Sequence, residues 1–285
     1  MTDPDELDRI ERVVTERGVE LYRDLPWRRT YDPYAVWLSE AMLQQTQVVR
    51  VIDYWTRWLE EFPTPDALAA ADLTRVLELW KGLGYNRRAL ALKSAADIIS
   101  RDHGGAVPHD RESLLALPGI GPATAAGIRV FAFGEKDVYF ETNVRTVFLH
   151  ELFPEGEDIP DRALMPAVEE LALRTEDPRA WNWALLDYGS YLKRTLPNPS
   201  RRSKHHTRQS KFEGSHRQRR SWVLSYMVEA GEARLPEVVA LLEEKLDTLG
   251  DEVSKPEPTE AAEAILAELA GEGFLEVDES VWRVS

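Results

Sequence analysis

Cysteine is absent from all 285 residues, which excludes disulfides, thiolate nucleophiles and clusters held by cysteine. Uncharged stretches approaching the roughly 20 apolar residues that cross a bilayer are missing too. The start, Met1-Thr2-Asp3-Pro4-Asp5-Glu6, lacks the basic and apolar pattern of an export signal, so the expected location is the cytoplasm, with no membrane contact. Alternating β-branched runs are scarce, which argues against a chain built from strands. His205, His206 and His216 have no carboxylate or thiolate neighbours at ligand spacing, so no metal site is expected there. Phosphate contact or plain solvation suits them better.

What is present is charge, unevenly placed. The net charge of −15 argues at first against a polyanionic partner, because phosphate contacts need cations. From Lys193 to Arg220, however, ten Lys or Arg stand against one acid, Glu213. A basic belt on an acidic body steers an anionic polymer to one face while the rest repels it. With 43% hydrophobic residues, the chain can bury one large core or two modest ones.

Apolar residues recur at three- and four-residue spacings nearly throughout, which predicts a mostly helical protein. Helices are expected near residues 6–22, 34–47, 48–62, 66–71, 73–80, 87–101, 111–117, 123–133, 144–151, 162–173 and 178–193. Thr64-Pro65 and Asp110 supply start signals, and Gly82, Gly84 and Gly104-Gly105 mark ends. Leu196 to Gly214, rich in Pro, Ser, His and Arg, reads as a linker or wrapping loop. Beyond it, helical patterns at 221–229, 236–246 and 259–271 precede an alternating Phe274 to Val284, which together suggest a winged-helix module. Its 16 acids against four basic residues make it an unpromising reader of DNA.

Three segments carry chemistry. Leu117-Pro118-Gly119-Ile120-Gly121 joins two short helices; its glycines permit close backbone approach, and the amides after Gly121 form an anion site suited to one phosphate. The residues expected to hold DNA phosphate are Gly119, Gly121, Ala123 and Thr124 here, and Arg201, Arg202, Lys204 and Arg208 in the basic loop. Glu141, in Glu141-Thr142-Asn143, sits at a helix start, where an acid is ordinarily a cap. A carboxylate there also stabilises the cationic sugar of a glycosidic hydrolysis, with Asn143 orienting it or the attacking water. Glu40 lies in Trp37-Leu38-Ser39-Glu40-Ala41-Met42-Leu43-Gln44-Gln45-Thr46. Burial would raise its pKa and keep a proton available for a departing base. Its plainer alternatives are a surface carboxylate or a partner of Arg28 or Arg29. Gln44, one turn on, and Gln45 suit base edges or an opened stack. Tyr85, ending the loop Gly82-Leu83-Gly84-Tyr85, is either a wedge between stacked bases or ordinary core.

These strings, with Pro26-Trp27-Arg28 and Asp32-Pro33-Tyr34, resemble the helix-hairpin-helix DNA glycosylases over roughly Leu25 to Leu192. The Trp-Leu-Ser-Glu-x-Met-Leu-Gln-Gln-Thr string is similar to the MutY adenine DNA glycosylases rather than to endonuclease III. The resemblance implies an all-α, two-domain fold with a central cleft and chemistry that needs no metal. It assigns base protonation to Glu40, the base pocket or intercalation site to Gln44, Gln45 and Tyr85, and assistance to Asn143. Ala123 stands where bifunctional relatives carry a Schiff-base lysine, so no lyase activity is expected through that position.

The chain departs from the resemblance in three places. Glu141 replaces the family's catalytic Asp. The family's iron–sulfur cysteines are absent, with Leu192, Ser200 and Ser203 near their places, so no cofactor is expected. A winged-helix-like tail follows where MutY enzymes often carry a Nudix-like domain. The expected organisation is an N-terminal helix over 1–31 that packs with the second helical domain, a helical domain with the hairpin over 32–140, the second helical domain over 141–193, a basic linker over 194–220 and the winged module over 221–285. The expected function is a monofunctional, monomeric DNA glycosylase of base excision repair, associated with the nucleoid. It would remove adenine opposite guanine or 8-oxoguanine in double-stranded DNA. Removal of mismatched thymine, uracil or an oxidised pyrimidine is the alternative within the fold. A DNA-binding protein without catalysis, its tail recruiting a protein partner, is the alternative outside enzymes.

Overall fold

A computed structural model describes residues 3–206, 211–249 and 255–285; Arg208, expected to hold phosphate, lies outside them. In chain order the described elements are α1 (Pro4–Glu20), α2 (Pro33–Leu43), α3 (Val48–Glu61), α4 (Pro65–Ala70), α5 (Leu73–Trp80), α6 (Arg87–Asp102) and α7 (Arg111–Ala116). There follow α8 (Pro122–Phe131), α9 (Thr142–Leu152), α10 (Asp161–Arg174), α11 (Pro178–Thr195), α12 (His216–Ala230), β1 (Glu232–Arg234), α13 (Leu235–Asp247), α14 (Pro258–Gly271), β2 (Leu275–Asp278) and β3 (Val281–Val284). The starts follow local chemistry: Asp3, Asp32, Thr64, Asp110 and Asp177 each accept a first-turn N–H, and proline opens α1, α2, α4 and α11. None of the described helices is long and apolar enough to cross a membrane.

The chain divides into two compact units, Met1–Gln44 with Ala106–Arg208, and Gln45–Gly105 with Gln209–Ser285. In the first, Leu7, Ile10 and Val14 form one stripe of α1 and join Val147 and Phe148 of α9, Leu164 and Val168 of α10, and Leu185 and Tyr188 of α11 in a single core. Nearly all of α2 is buried on every side, from Tyr34 to Ser39 and again at Ala41 and Met42, which marks it as an interior helix. One ion cluster lies within this apolar frame. Asp187 of α11 takes two bonds from Arg28, at 2.7 and 2.8 Å, and two from Arg23, from its Nε at 2.5 Å and its backbone N–H at 3.2 Å; the side chains of Asp187 and Arg28 are 1% and 2% exposed.

In the second unit Trp58 and Trp80 meet edge to face at 5.4 Å, fixing α3 against α5. The C-terminal elements run helix, strand, helix, helix, hairpin, in antiparallel order β1-β3-β2, with Glu232 opposite Arg283 and Leu275 opposite Val284. This is the winged-helix arrangement expected of the tail. The three residues of β1 are too few for alternation to show in the sequence.

Two expectations need correction. The helix expected over 34–47 ends at Leu43, because Gln45 turns to φ 55° and Gln47 becomes the extended residue that starts α3. Gln44 caps α2 with a helical φ of −59° and leaves the helix at its ψ of 112°. The stretch expected to be a linker or wrapping loop contains a short 3₁₀ turn over Pro199–Arg202, with Pro199 and Ser200 buried.

Breaking a buried pair by neutralising one partner strands the other charge away from water. Asp187→Asn, which leaves the Arg28 guanidinium uncompensated, is expected to destabilise the first unit by about 3–5 kcal/mol. Urea unfolding followed by fluorescence checks this; a loss under ~1 kcal/mol would show the cluster to be dispensable.

Candidate active site

Glu40 and Glu141, a hundred residues apart in sequence, meet around Tyr139 in the first unit. The Tyr139 hydroxyl donates to the Glu40 carboxyl, both glutamates raise the cost of ionising Tyr139, and Glu141 raises that of Glu40. Desolvation is the largest influence on Glu40, whose pKa is pushed up to about 8, with Tyr139 opposing and Glu141 reinforcing. Arg28 and Arg29 take no part here, since they pair with Asp187 and Asp24.

The closeness depends on Gly127, midway along α8. A Cβ built there would lie 2.5 Å from Glu40 Oε2 and 3.0 Å from Tyr139 Cε2, nearer than side-chain atoms pack. The glycine thus lets α8 close over the acid. Its signal in the sequence is a lone glycine inside an apolar helical run, Ala125-Ala126-Gly127-Ile128, which costs about 1 kcal/mol against alanine and so implies a packing reason.

Glu141 caps α9 with an extended backbone, φ −132° and ψ −174°. Its Oε1 accepts from the backbone N–H of Asn143 at 2.6 Å and of Val144 at 3.2 Å. Burial raises its pKa, opposed first by the Lys193 ammonium and then by these backbone bonds and the Asn143 side chain. Lys193 is itself held below its ordinary range by burial, with Glu141 pulling it back up. It stands one turn beyond Gly189 on α11, and Gly189 packs so tightly on the Asn143 carbonyl that a Cβ would collide with it. Asn143 Oδ1 is buried and has no hydrogen-bond partner. Lys193 was legible only as one cation of the basic belt.

The hairpin lies in the same unit. Gly119 adopts φ 76°, and Gly121 precedes Pro122 at the start of α8, where an added Cβ would meet open space. The first-turn amides of Ala123 and Thr124 have no carbonyl behind them in a helix. The Thr124 side chain is buried and accepts from Gln44 Nε2 at 3.3 Å, which ties Gln44 to the hairpin helix. Of the basic loop, Arg201 and Lys204 are exposed, whereas Arg202 donates to the carbonyls of Leu149 at 3.3 Å and Phe153 at 2.8 Å. Its charge is therefore directed to the end of α9.

A cysteine-held cluster does not fit this segment. Leu192 is buried, Ser200 Oγ donates to Asn198 Oδ1 at 2.8 Å, and Ser203 Oγ accepts from the His205 N–H at 3.1 Å. Backbone pairing does the fastening: Ile159 N–H donates to Arg202 O at 2.8 Å and Lys204 N–H to Ile159 O at 3.0 Å. Among the described residues no group of His, Asp and Glu is arranged to hold a metal ion.

Gln45 and Tyr85 belong to the second unit, and both hold positive φ, 55° and 50°. Such strain in non-glycine residues persists where the surroundings over-determine it. Arg88 supplies that constraint for the Tyr85 loop, donating to Gly84 O at 2.9 Å, Leu83 O at 3.2 Å and Thr46 Oγ1 at 3.1 Å, with its guanidinium over the Tyr85 ring at 5.7 Å. Tyr85 remains 39% exposed, which excludes ordinary core.

The model of the HhH-GPD superfamily base excision DNA repair protein matches residues 38–199, a span holding Glu40, Gly127, Glu141 and Lys193. The adenine DNA glycosylase of Mycobacterium tuberculosis (strain CDC 1551 / Oshkosh) is 45% identical over 127 residues, 44% of this chain and 42% of that protein. That of Rattus norvegicus is 39% identical over 180 residues, 59% of this chain and 35% of that protein. The matched region thus spans less than half the length of these relatives. Among solved structures, a thermostable thymine-DNA glycosylase superposes with a TM-score of 0.58 at 25% identity, covering 65% of this chain and 87% of that one.

Gly127→Ala is expected to drive the Glu40 carboxyl from its enclosure and lower the melting temperature, because overpacking of this kind costs ~1–3 kcal/mol; an unchanged melting curve would refute the close approach. A second test follows from the raised pKa of Glu40. A folded pKa of about 8 against an ordinary 4.5 gives a stability contribution that is complete below the ordinary value and lost as pH rises through 8. Glu40→Gln should therefore gain stability relative to the wild type between pH 5 and pH 9, measured by urea midpoints, and parallel midpoints across that range would contradict burial of the ionised acid.

Proposed function

This chain belongs to the HhH-GPD superfamily of base excision DNA repair proteins, and from that premise we propose that it is a monofunctional DNA glycosylase that releases adenine mispaired with guanine or 8-oxoguanine. The observation that carries the reading is the meeting of a protonated, desolvated glutamate with a second buried carboxylate across Tyr139. The two adenine glycosylase relatives support the choice of base.

In this reading Glu40, neutral at physiological pH, donates its proton to a ring nitrogen of the extracted adenine. The bond from that base to C1′ breaks with its electron pair going to adenine, and the base leaves neutral. The sugar is left cationic, and Glu141, whose ionised form Lys193 and two backbone amides favour against burial, stabilises it more than it stabilises the substrate. Water, oriented by the unpartnered Asn143 Oδ1, adds to C1′, and its proton passes to the carboxylate that Glu40 became, which restores the acid. The two environments separate the acid from the ion, as acid–base division requires.

The longer Glu141 is accommodated because one of its oxygens is spent on the α9 amides, which draws the carboxylate back toward the helix start. The hairpin amides at Ala123 and Thr124, with Gly119, Gly121, Arg201 and Lys204, would hold the phosphates of double-stranded DNA. Ala123 offers no amine, so hydrolysis without strand cleavage is the expected outcome. The thymine-DNA glycosylase likeness supports guanine:thymine as the competing substrate.

Single-turnover assays on 8-oxoguanine:adenine, guanine:adenine and guanine:thymine duplexes, with alkali revealing abasic sites, test the assignment. Adenine release from the first two is expected; release of thymine alone would replace adenine with the competing base, and release of nothing would leave a DNA-binding protein. Glu40→Gln should slow release roughly 100- to 10,000-fold, and Glu141→Gln on the order of 100- to 1,000-fold. The rate should fall as pH rises through about 8, where Glu40 loses its proton. On the acid side it should fall from above the usual carboxylate range, and Lys193→Met should move that limb to higher pH.

A further inference from the structure

The acidic C-terminal module reaches the cations that bracket the glycine loop. Lys81 stands where α5 ends and Arg87 where α6 begins, so the two flank Gly82-Leu83-Gly84-Tyr85. Lys81 is taken by Glu229 of α12, and Arg87 by Glu272 at the end of α14. Module and loop fall in one unit. Glu272 also accepts from Arg220 at 2.7 Å, and Glu268, one turn earlier, meets His216 at 2.8 Å. Arg87, with Arg220, holds the Glu272 carboxyl down to about 2, and Lys81 holds that of Glu229 below its usual range. Both acids are therefore ionised throughout the neutral range.

The other cations around the loop are used differently. Arg88 bonds to the loop's own carbonyls, while Arg50 donates to Gly82 O and Arg217 to the Tyr85 hydroxyl, both at 3.3 Å. No acid lines the cavity beside Tyr85 where these last two stand. Lys81 and Arg87, in contrast, each meet a carboxylate of the module, yet their side chains are 55% and 74% exposed and that of Glu229 is 65% exposed. An anion in solution can thus reach both cations. As fasteners such pairs are weak, because exposed ion pairs contribute ~0–1 kcal/mol. As rivals of an anion they are well placed.

We propose that the C-terminal module is a built-in competitor of DNA: Glu229 and Glu272 occupy two phosphate-binding cations, Lys81 and Arg87, and yield them to the backbone of a docked duplex. The choice of DNA as the displacing polyanion rests on the glycosylase reading. The physical signature is a counterion balance. A free cation that neutralises a phosphate releases the counterion condensed there, and log affinity falls with log salt at a slope of about −0.9 for each such contact. When phosphate takes Lys81 from Glu229, the bared carboxylate takes up a cation and the net release disappears. The module thereby weakens loose, sequence-independent binding and makes what remains less sensitive to salt.

The full chain is titrated, between about 50 and about 200 mM salt, against a labelled duplex carrying a tetrahydrofuran abasic analogue opposite guanine. Glu229→Gln should bind more tightly than the wild type at the lowest salt, with a slope steeper by about 0.9, so that its advantage shrinks about threefold over the range. Glu229→Gln combined with Glu272→Gln should be steeper by about 1.8. Lys81→Gln should leave the wild-type slope where it is and abolish the gain of Glu229→Gln. Glu243→Gln, which removes an exposed acid of α13, should change nothing; a gain as large as that of Glu229→Gln would reduce the effect to net charge and overturn the proposal. Parallel slopes in all variants would overturn it too, and with a lower melting temperature in Glu229→Gln would make the pairs mere fasteners. Adenine release is scored separately: release with parallel slopes removes the competitor and keeps the glycosylase reading, whereas the expected slopes without release of any base do the reverse.

Discussion

The removal of one carboxyl from water governs this site. Glu40 sits on a helix buried on nearly all sides, and α8 closes over it because Gly127 has no side chain. In water the acid would be ionised throughout the physiological range, with no proton to give. Here charge costs more than neutrality, and a second carboxylate nearby raises the cost further. The same desolvation acts on Glu141 and raises its pKa, but there a lysine, two backbone amides and an asparagine oppose it in part. Two residues of one type are thereby given opposite tasks by their surroundings alone.

The fold keeps this division stable by using the elements for different purposes. The core of α1, α9, α10 and α11 fixes the start of α9, and the α9 amides fix Glu141 in turn. The chain that follows α11 returns to the same helix, where Arg202 occupies the carbonyls of Leu149 and Phe153 and Ile159 pairs with the strand-like residues around Ser203. Hydrogen bonds and buried serines therefore hold this segment.

Much of this was legible in the sequence, and the limits have physical causes. Caps such as Asp32 and Asp177, with the prolines after them, mark helix starts because they satisfy orphan amides locally. Glu40, Glu141 and Asn143 stand out through their strings, and Tyr85 through the glycines before it. Gly127, Lys193 and Arg88 do not, since each acquires its role from a residue distant in sequence: Glu40, Glu141 and Thr46 respectively. The end of α2 was missed because Gln44 to Gln47 are tolerated in a helix, and only the left-handed turn at Gln45 shows that the chain leaves it.

The charge of the basic belt reads differently in sequence and in structure for a related reason. A sum over residues treats each cation as equally available, whereas the fold spends some of them internally. Glu268 and Glu272 absorb His216 and Arg220, and Gly214 absorbs Arg219, while the lining beside Tyr85 is free of acids. A field that repels DNA over most of a surface still leaves a local site of opposite sign, and repulsion elsewhere narrows the orientations in which a polyanion reaches it. The belt that faces a polyanion is thus smaller than its count of cations, because those at the start of α12 are held by the acidic module that follows them.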